Sequence, residues 1–170
     1  ITDKDGRPLR FFLPQDKRWR FPVKLADVSP RLAEAVIASE DRWFHSHPGV
    51  NPFALVRAFY TNIKEGRVVS GASTIPMQIA RMSDPKPRTI FSKAKEAFRA
   101  LQLKRVFNDD ELLEIYLNLA PYGGNIEGVG AASYFYFGKN PRALTPGEVA
   151  LLTALPRSPA AFDPVRNPKD

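Results

Sequence analysis

"SPRLAEAVIASEDRWFHSHPG", residues 29–49, is the stretch from which the rest of the chain can be read. Ser29 followed by Pro30 is a helix-start pair, a hydroxyl for the cap and a ring whose fixed φ suits the first helical position. Leu32, Val36, Glu40 and Trp43 then recur at helical spacing, which predicts an amphipathic helix. On a helical wheel Glu40 falls among Val36, Ile37, Trp43 and Phe44, while Asp41 and Arg42 point elsewhere. An acid on an apolar stripe needs a reason. Partial burial raises a carboxylate's proton affinity toward the range where it can act as a general base or acid near neutral pH. A salt bridge to a basic neighbour at a helix end explains the same residue, and this helix alone does not decide between the two. His45 and His47 have no second ligand pair at metal spacing anywhere in the chain, which disfavours zinc. For His47, just before Pro48-Gly49, a capping or hydrogen-bonding role is expected.

Outward from this stretch the pattern stays helical. "NPFALVRAFYTNIKEG" predicts a second helix ending at Gly66, with Phe53, Val56, Tyr60 and Ile63 on one side and Arg57 and Lys64 elsewhere. "SGASTIPMQIARM" is a Gly-Ser-Thr turn running into a third. A Pro-broken basic stretch precedes a long helix from about Thr89 to Phe107, with Ile90, Ala94, Phe98 and Leu101 on the expected apolar face. Asn108 with Glu111 and Thr145 with Glu148 have capping-box spacing. The opening "ITDKDGRPLRFFLP" reads as a hairpin or extended arm, with "DKDG" as its turn. "PYGGNIEG" is a glycine-rich loop, "GVGAASYFYFG" a small-residue helix, and the tail after Leu155 is punctuated by proline. The fold expected is mainly α, with a small β-like arm at the N-terminus.

With 170 residues, 44% of them apolar, the chain has room for one domain with its own core. Lys and Arg outnumber Asp and Glu by 25 to 18, so a polyanionic partner is the first expectation. The absence of cysteine excludes disulfides and thiolate metal sites without identifying a compartment. No apolar run approaches the roughly 18 residues needed to cross a bilayer. The chain opens at Ile1 without Met or a signal pattern, and a longer parent protein is expected.

The basic residues are concentrated. "GASTIPMQ" offers glycine for close approach, two hydroxyls and a helix N-terminus that favours an anion, and Arg81, Lys86, Arg88, Lys93 and Lys95 follow closely. Such a set of donors suits a diphosphate. The Lys93–Glu96 spacing of i,i+3 is by itself ordinary surface stabilisation. Glu114, in a strongly apolar helix, is expected to be a structural acid held by hydrogen bonds.

Taken in order, "EDRWFHSHPG", "GASTIPMQIAR", "SKAKE", "ELLEIYLN" and "GVGAASYFYFGK" resemble the five motifs of the peptidoglycan glycosyltransferase domain, glycosyltransferase family 51. That domain is found in class A penicillin-binding proteins and in monofunctional transglycosylases. The resemblance runs from about Ser29 to Pro159, and "EDRWFHSHPGVNPFALVRA" and "STIPMQIARM" look most like the 1C type. It implies a lysozyme-like, mainly helical fold of two lobes flanking a cleft. The domain proper would cover 29–160, with a membrane-proximal small lobe near 50–70, an arm or linker over 1–28 and a linker from 161 to 170. The implied reaction polymerises lipid II, a disaccharide-pentapeptide on undecaprenyl diphosphate, into a growing glycan strand with inversion at the anomeric carbon.

Residue by residue, the resemblance makes Glu40 the general base and sets Glu96 near the leaving diphosphate. Lys93, Arg81 and Gln78 would hold the diphosphate or the sugars, with Ser73 and Thr74 at the helix start. Asp41 accompanies Glu40 and would orient its basic neighbours. No tightly bound cofactor is implied, though a divalent cation, magnesium or manganese, could join Glu96 to the diphosphate. Two departures stand out. Ser92 occupies a position where the family usually has Arg, so one expected basic contact is missing or is supplied by Lys95 or Arg88. Pro76 replaces a common Thr, which puts the start of its helix and the capping role of Thr74 in question.

The partners implied are lipid II, the growing strand, a membrane surface and a transpeptidase domain downstream in the same chain. The place implied is the outer face of the bacterial inner (plasma) membrane, held by an anchor before Ile1. Phe53, Phe59 and Tyr60, with Arg57 and Lys64, could dip into lipid headgroups, although packing into the core is expected for most single rings. Two rivals remain. A lysozyme-like glycoside hydrolase also carries a Glu at a helix end but has no use for the Arg81–Lys95 basic cluster. A basic module for anionic lipid or nucleic acid leaves Glu40 unexplained, and no nucleic-acid partner is expected.

Overall fold

The computed structural model describes residues 13–65 and 73–157. The "DKDG" turn, Gly71 at the head of "SGAS" and the tail after Arg157 lie outside them. The side chains of Phe59 and Ile63 are also outside the description.

Among the described residues there are seven α-helices and no strand. They are α1 (Pro30–Glu40), α2 (Pro52–Glu65), α3 (Ile75–Ser83), α4 (Ile90–Val106), α5 (Asp109–Leu119), α6 (Val129–Phe137) and α7 (Pro146–Ala154). The arm from residue 13 contributes a single parallel bridge, Trp19 to Ile126, and crosses α6, where Trp19 and Phe21 meet Phe135. The mainly α class is therefore as the sequence leads one to expect.

The helix boundaries follow local chemistry. Asn108 and Glu111 close a reciprocal capping box at the start of α5, and Thr145 and Glu148 do the same at α7. Thr89 caps α4 by accepting from the backbone of Ser92, and Gly138 ends α6 in the left-handed conformation. Pro76 sits within the first turn of α3 without preventing Thr74 from capping it through Met77 N–H. Proline there removes only a donor that would have had no helical partner.

α3 packs against α4 and α5, and α1 packs on α7. The core between them contains Leu32, Val36, Phe44, Ile75, Ile79, Leu117 and Leu152, all fully or nearly fully buried. Each such side chain contributes roughly 1.5–3 kcal/mol by leaving water. Glu114 is structural, as expected: its carboxylate accepts from the backbone N–H of Leu25 at 2.7 Å and fastens the arm to α5.

Three expectations about faces need correction. α1 ends at Glu40, so Trp43 and Phe44 are not on its stripe; Phe44 is buried, whereas Trp43 is mostly exposed. The helix stops because Asp41 takes an extended φ of −155° and uses its side chain elsewhere. The predicted apolar face of α4 is turned outward: Ile90 is 91% exposed and Phe98 61%. α4 packs against α3, and the residue it buries fully is the small Ala100, whose backbone lies against Gly49. On α2, Phe53 and Tyr60 are 86% and 69% exposed, so neither joins the core.

Candidate active site

Glu40 stands at the C-terminal end of α1 and is half-buried. Its Oε2 accepts a hydrogen bond from Gln78 Nε2 of α3 at 3.0 Å. Gln78 is a neutral donor, so this hydrogen bond fixes the carboxylate without cancelling its charge. Glu40 lines a cleft of about 370 Å³ whose walls also include Trp43, Arg57, Ser73 and Asn51. α1 thus divides its sides: Leu32 and Val36 enter the core, while Ala38, Ser39 and Glu40 at its C-terminal end line the cleft.

The loop after Glu40 is braced from inside. Asp41 is buried; its Oδ2 accepts from Ile75 N–H at 2.9 Å, and both its oxygens lie 2.9 Å from His47 Nε2. Because Gly49 N–H donates to His47 Nδ1 at 3.1 Å, that nitrogen is the acceptor and Nε2 carries the proton toward Asp41. Asp41, expected among the substrate-binding residues, thus ties the end of α1 to the start of α3. Thr74 behaves alike: it is buried, and its hydroxyl donates to Gly49 O at 2.6 Å while capping α3. Gly49 is required here. Its φ is +116°, and a Cβ would lie 2.4 Å from the Ala100 carbonyl oxygen.

On the other side of Ser73 is the second charged group. Lys93 Nζ donates to Ser73 Oγ at 2.6 Å and to Glu96 Oε2 at 2.9 Å. Since Ser73 lines the Glu40 cleft, the Lys93 ammonium stands at its edge. Glu96 is largely buried beside it. The family's usual Arg is not replaced by either alternative. Ser92 hydrogen-bonds Thr89 at 2.9 Å, Lys95 faces Asp84 together with Lys86 and Arg99, and Arg88 lines a separate pocket with Arg81. The hydrogen bond from Lys86 holds the Asp84 carboxyl below the usual carboxylate range.

The structure therefore gathers Glu40, Gln78, Ser73, Lys93 and Glu96, and sets Arg81 and Arg88 apart from Lys93. His45 faces Asp109 at 2.7 Å, and Asp109 is shared with Lys104, which also donates to Phe44 O. Among the described residues no group of three His, Cys, Asp or Glu side chains is arranged for a metal.

A family model described as transglycosylase matches residues 5–170. The chain belongs to the transglycosylase family. It is 48% identical over 99% of its length to penicillin-binding protein 1C of Escherichia coli (strain K12). It is 41% identical over 86% to penicillin-binding protein 1A of Haemophilus influenzae, and 40% over 88% to that of Aquifex aeolicus. The chain spans 22%, 17% and 21% of these three relatives.

Two further residues bear on the Glu40 cleft, one on its wall and one buried in the core. Arg57 lines the cleft, although its position on α2 suggested only a lipid-facing charge. Tyr122 is fully buried and within electrostatic reach of Glu40; burial first, and the Glu40 charge second, push its phenol well up. Tyr122 follows a proline in a glycine-rich loop, where no helical or strand periodicity marks which side faces inward.

Proposed function

We propose that this chain is a peptidoglycan glycosyltransferase that extends glycan strands from lipid II. The observation that carries the reading is the Glu40 carboxylate, held by Gln78 in an open cleft whose lining Ser73 accepts from the Lys93 ammonium. In the reaction, Glu40 takes the proton of the acceptor's 4-hydroxyl as that oxygen forms a bond to the donor's anomeric carbon. The anomeric carbon–oxygen bond to the lipid diphosphate breaks on the opposite face, and the diphosphate leaves with the electron pair, inverting α to β. Fixed positive charge and hydroxyl donors at the leaving group stabilise the charge that develops there. Lys93 supplies the charge and Ser73 the hydroxyl. Glu96 orients Lys93 through their 2.9 Å contact.

A divalent cation at the diphosphate finds little to hold it here. Glu96 is one carboxylate, already engaged by Lys93, whereas such ions take about six oxygens. No step is assigned to a metal.

The exposed rings of Phe53 and Tyr60 beside Arg57 on α2 support contact with an anionic membrane surface. Among the described residues no helix is long and apolar enough to cross a bilayer. The family resemblance supports a place on the outer face of the bacterial plasma membrane, an anchor upstream, and a transpeptidase domain downstream. Vesicles of anionic lipid should retain wild type and lose a folded Phe53→Glu variant; equal retention of both would sink the membrane reading.

The deciding experiment is polymerisation of labelled lipid II by wild type and Glu40→Gln, with products digested by a muramidase. A ladder of strands from wild type, absent from a folded Glu40→Gln protein, is expected. No ladder from either would discard the reading.

A further inference from the structure

A second concavity adjoins the Glu40 cleft. Its volume is about 470 Å³, and it shares Trp43, Asn51 and Phe53 with the cleft but not Glu40, Ser73 or Arg57. The three shared residues are therefore the wall between the two hollows, and whatever fills the second lies beside the reacting centre, not in it. Volumes of this order, roughly 300–1,000 Å³, are those of small-ligand sites.

The lining is mostly flat and apolar. Trp43 is 61% exposed, and the rings of Pro48, Pro52 and Phe53 supply much of the rest. Because α1 ends at Glu40, this indole is not drawn into the core, and a large apolar side chain is left in water beside an active cleft. Such surface is what a ligand covers. Polar groups edge these rings. Asn51 Oδ1 accepts from Ala54 N–H at 3.0 Å, which leaves its Nδ2 hydrogens without an acceptor among the described residues. Ser46 adds a hydroxyl. No Lys or Arg is among the described lining residues, and the one ring that could carry charge, His47, is buried against Asp41.

Flat rings with a few hydrogen-bonding groups at the rim match one class of ligand. A β-linked pyranose turns C–H groups to both faces and keeps its hydroxyls and amide around the edge. One face can lie on the indole while the edge meets Asn51 and Ser46. A hydrocarbon chain would cover the rings but strip water from the Asn51 amide without replacing it. The lack of cations argues against the sugar bonded to the diphosphate, which calls for fixed positive charge.

We propose that the Trp43 pocket holds an uncharged N-acetylated sugar of the growing strand, outside the pair being joined, with Trp43 as the stacking residue. The proposal rests on the glycosyltransferase reading above and adds retention to it. A strand held here stays on the protein between additions, so Trp43 sets how long the products grow.

Chitotriose, a soluble and uncharged β-linked trimer of N-acetylglucosamine with neither lipid nor peptide, is titrated into the full-length protein by calorimetry. Removing the stacked ring should weaken binding about tenfold in Trp43→Ala, and Trp43→Phe, which keeps a ring, should lose less. Ser46→Leu narrows this pocket without altering the walls of the Glu40 cleft, and it should weaken binding too. Binding that is equal in wild type and Trp43→Ala, or absent from both, overturns the proposal. Full binding by Ser46→Leu also overturns it, since the sugar would then lie in the Glu40 cleft. Dodecylphosphocholine below its micelle concentration is the hydrocarbon probe. If it loses affinity in Trp43→Ala while chitotriose does not, the pocket belongs to a lipid chain instead. In polymerisation of labelled lipid II, strands from Trp43→Ala should be several times shorter than wild-type strands at matched substrate consumption, and equal lengths overturn the role in retention. A wild type that binds chitotriose through Trp43 yet makes no strands defeats the polymerase reading and leaves the sugar pocket standing.

Discussion

Gln78 Nε2 donates to Glu40 Oε2 across 3.0 Å, joining the middle of α3 to the last residue of α1. This contact orients the carboxylate proposed as the base without neutralising it. Gln78→Ala should therefore lower kcat on lipid II by about tenfold to a hundredfold while KM changes little, because a mispositioned base loses rate before it loses binding. Gln78→Glu should go further and shift the acid limb of the pH–rate profile upward, since a second carboxylate beside Glu40 disfavours its charged form. A profile that stays in place would mean that the two side chains do not meet in the working enzyme.

Asp41 holds the same junction from the buried side. Asp41→Ala leaves Ile75 N–H and the His47 ring N–H without acceptors inside the protein. Two orphaned buried donors should cost about 3 kcal/mol, read as a lower urea midpoint at unchanged m-value. Activity should fall with it, because Ser73 and Thr74 begin the helix that Asp41 positions.

The arm is fastened by charge, which gives its stability a pH dependence. Glu127 has its carboxyl held below the ordinary range by Arg20 and Arg18 despite burial. A carboxylate whose folded value is depressed contributes stability that is fully present above its unfolded value, about pH 4.5, and is lost as pH falls through the folded value. The melting temperature should drop between about pH 5 and about pH 3, and drop less steeply in Glu127→Gln. Parallel curves would remove Glu127 from the acid response.

Tyr122 is buried with no hydrogen-bond partner for its hydroxyl among the described residues. Deleting an unsatisfied polar group of unchanged ring shape relieves a desolvation cost, so Tyr122→Phe should be neutral or more stable by up to about 1 kcal/mol in urea. A loss of more than that would reveal an acceptor, and Glu40 is the acid nearest in electrostatic terms.

Much of this chemistry is legible in the chain itself. The capping pairs Asn108–Glu111 and Thr145–Glu148 are local, so spacing alone reports them. Glu40 among apolar neighbours, and Lys93 one turn before Glu96, are likewise readable as pairs within one helix. The faces of α2 and α4 were not, because an apolar stripe says that something covers it without saying what. Ile90 and Phe98 lie on such a stripe and are exposed.

The order and identity of residues determined the helices, their caps, the ordered motifs and the placing of Glu40 at the end of its helix. All of these depend on neighbours within about one helical turn. Only the tertiary structure decided which basic residue meets which anion. It brought Lys93 to Ser73, 20 positions away, and left Arg81 and Arg88 facing a pocket that Arg18 enters from the other end of the chain. Helix packing makes those contacts, and packing is settled by which faces bury against each other, a relation that no single segment contains.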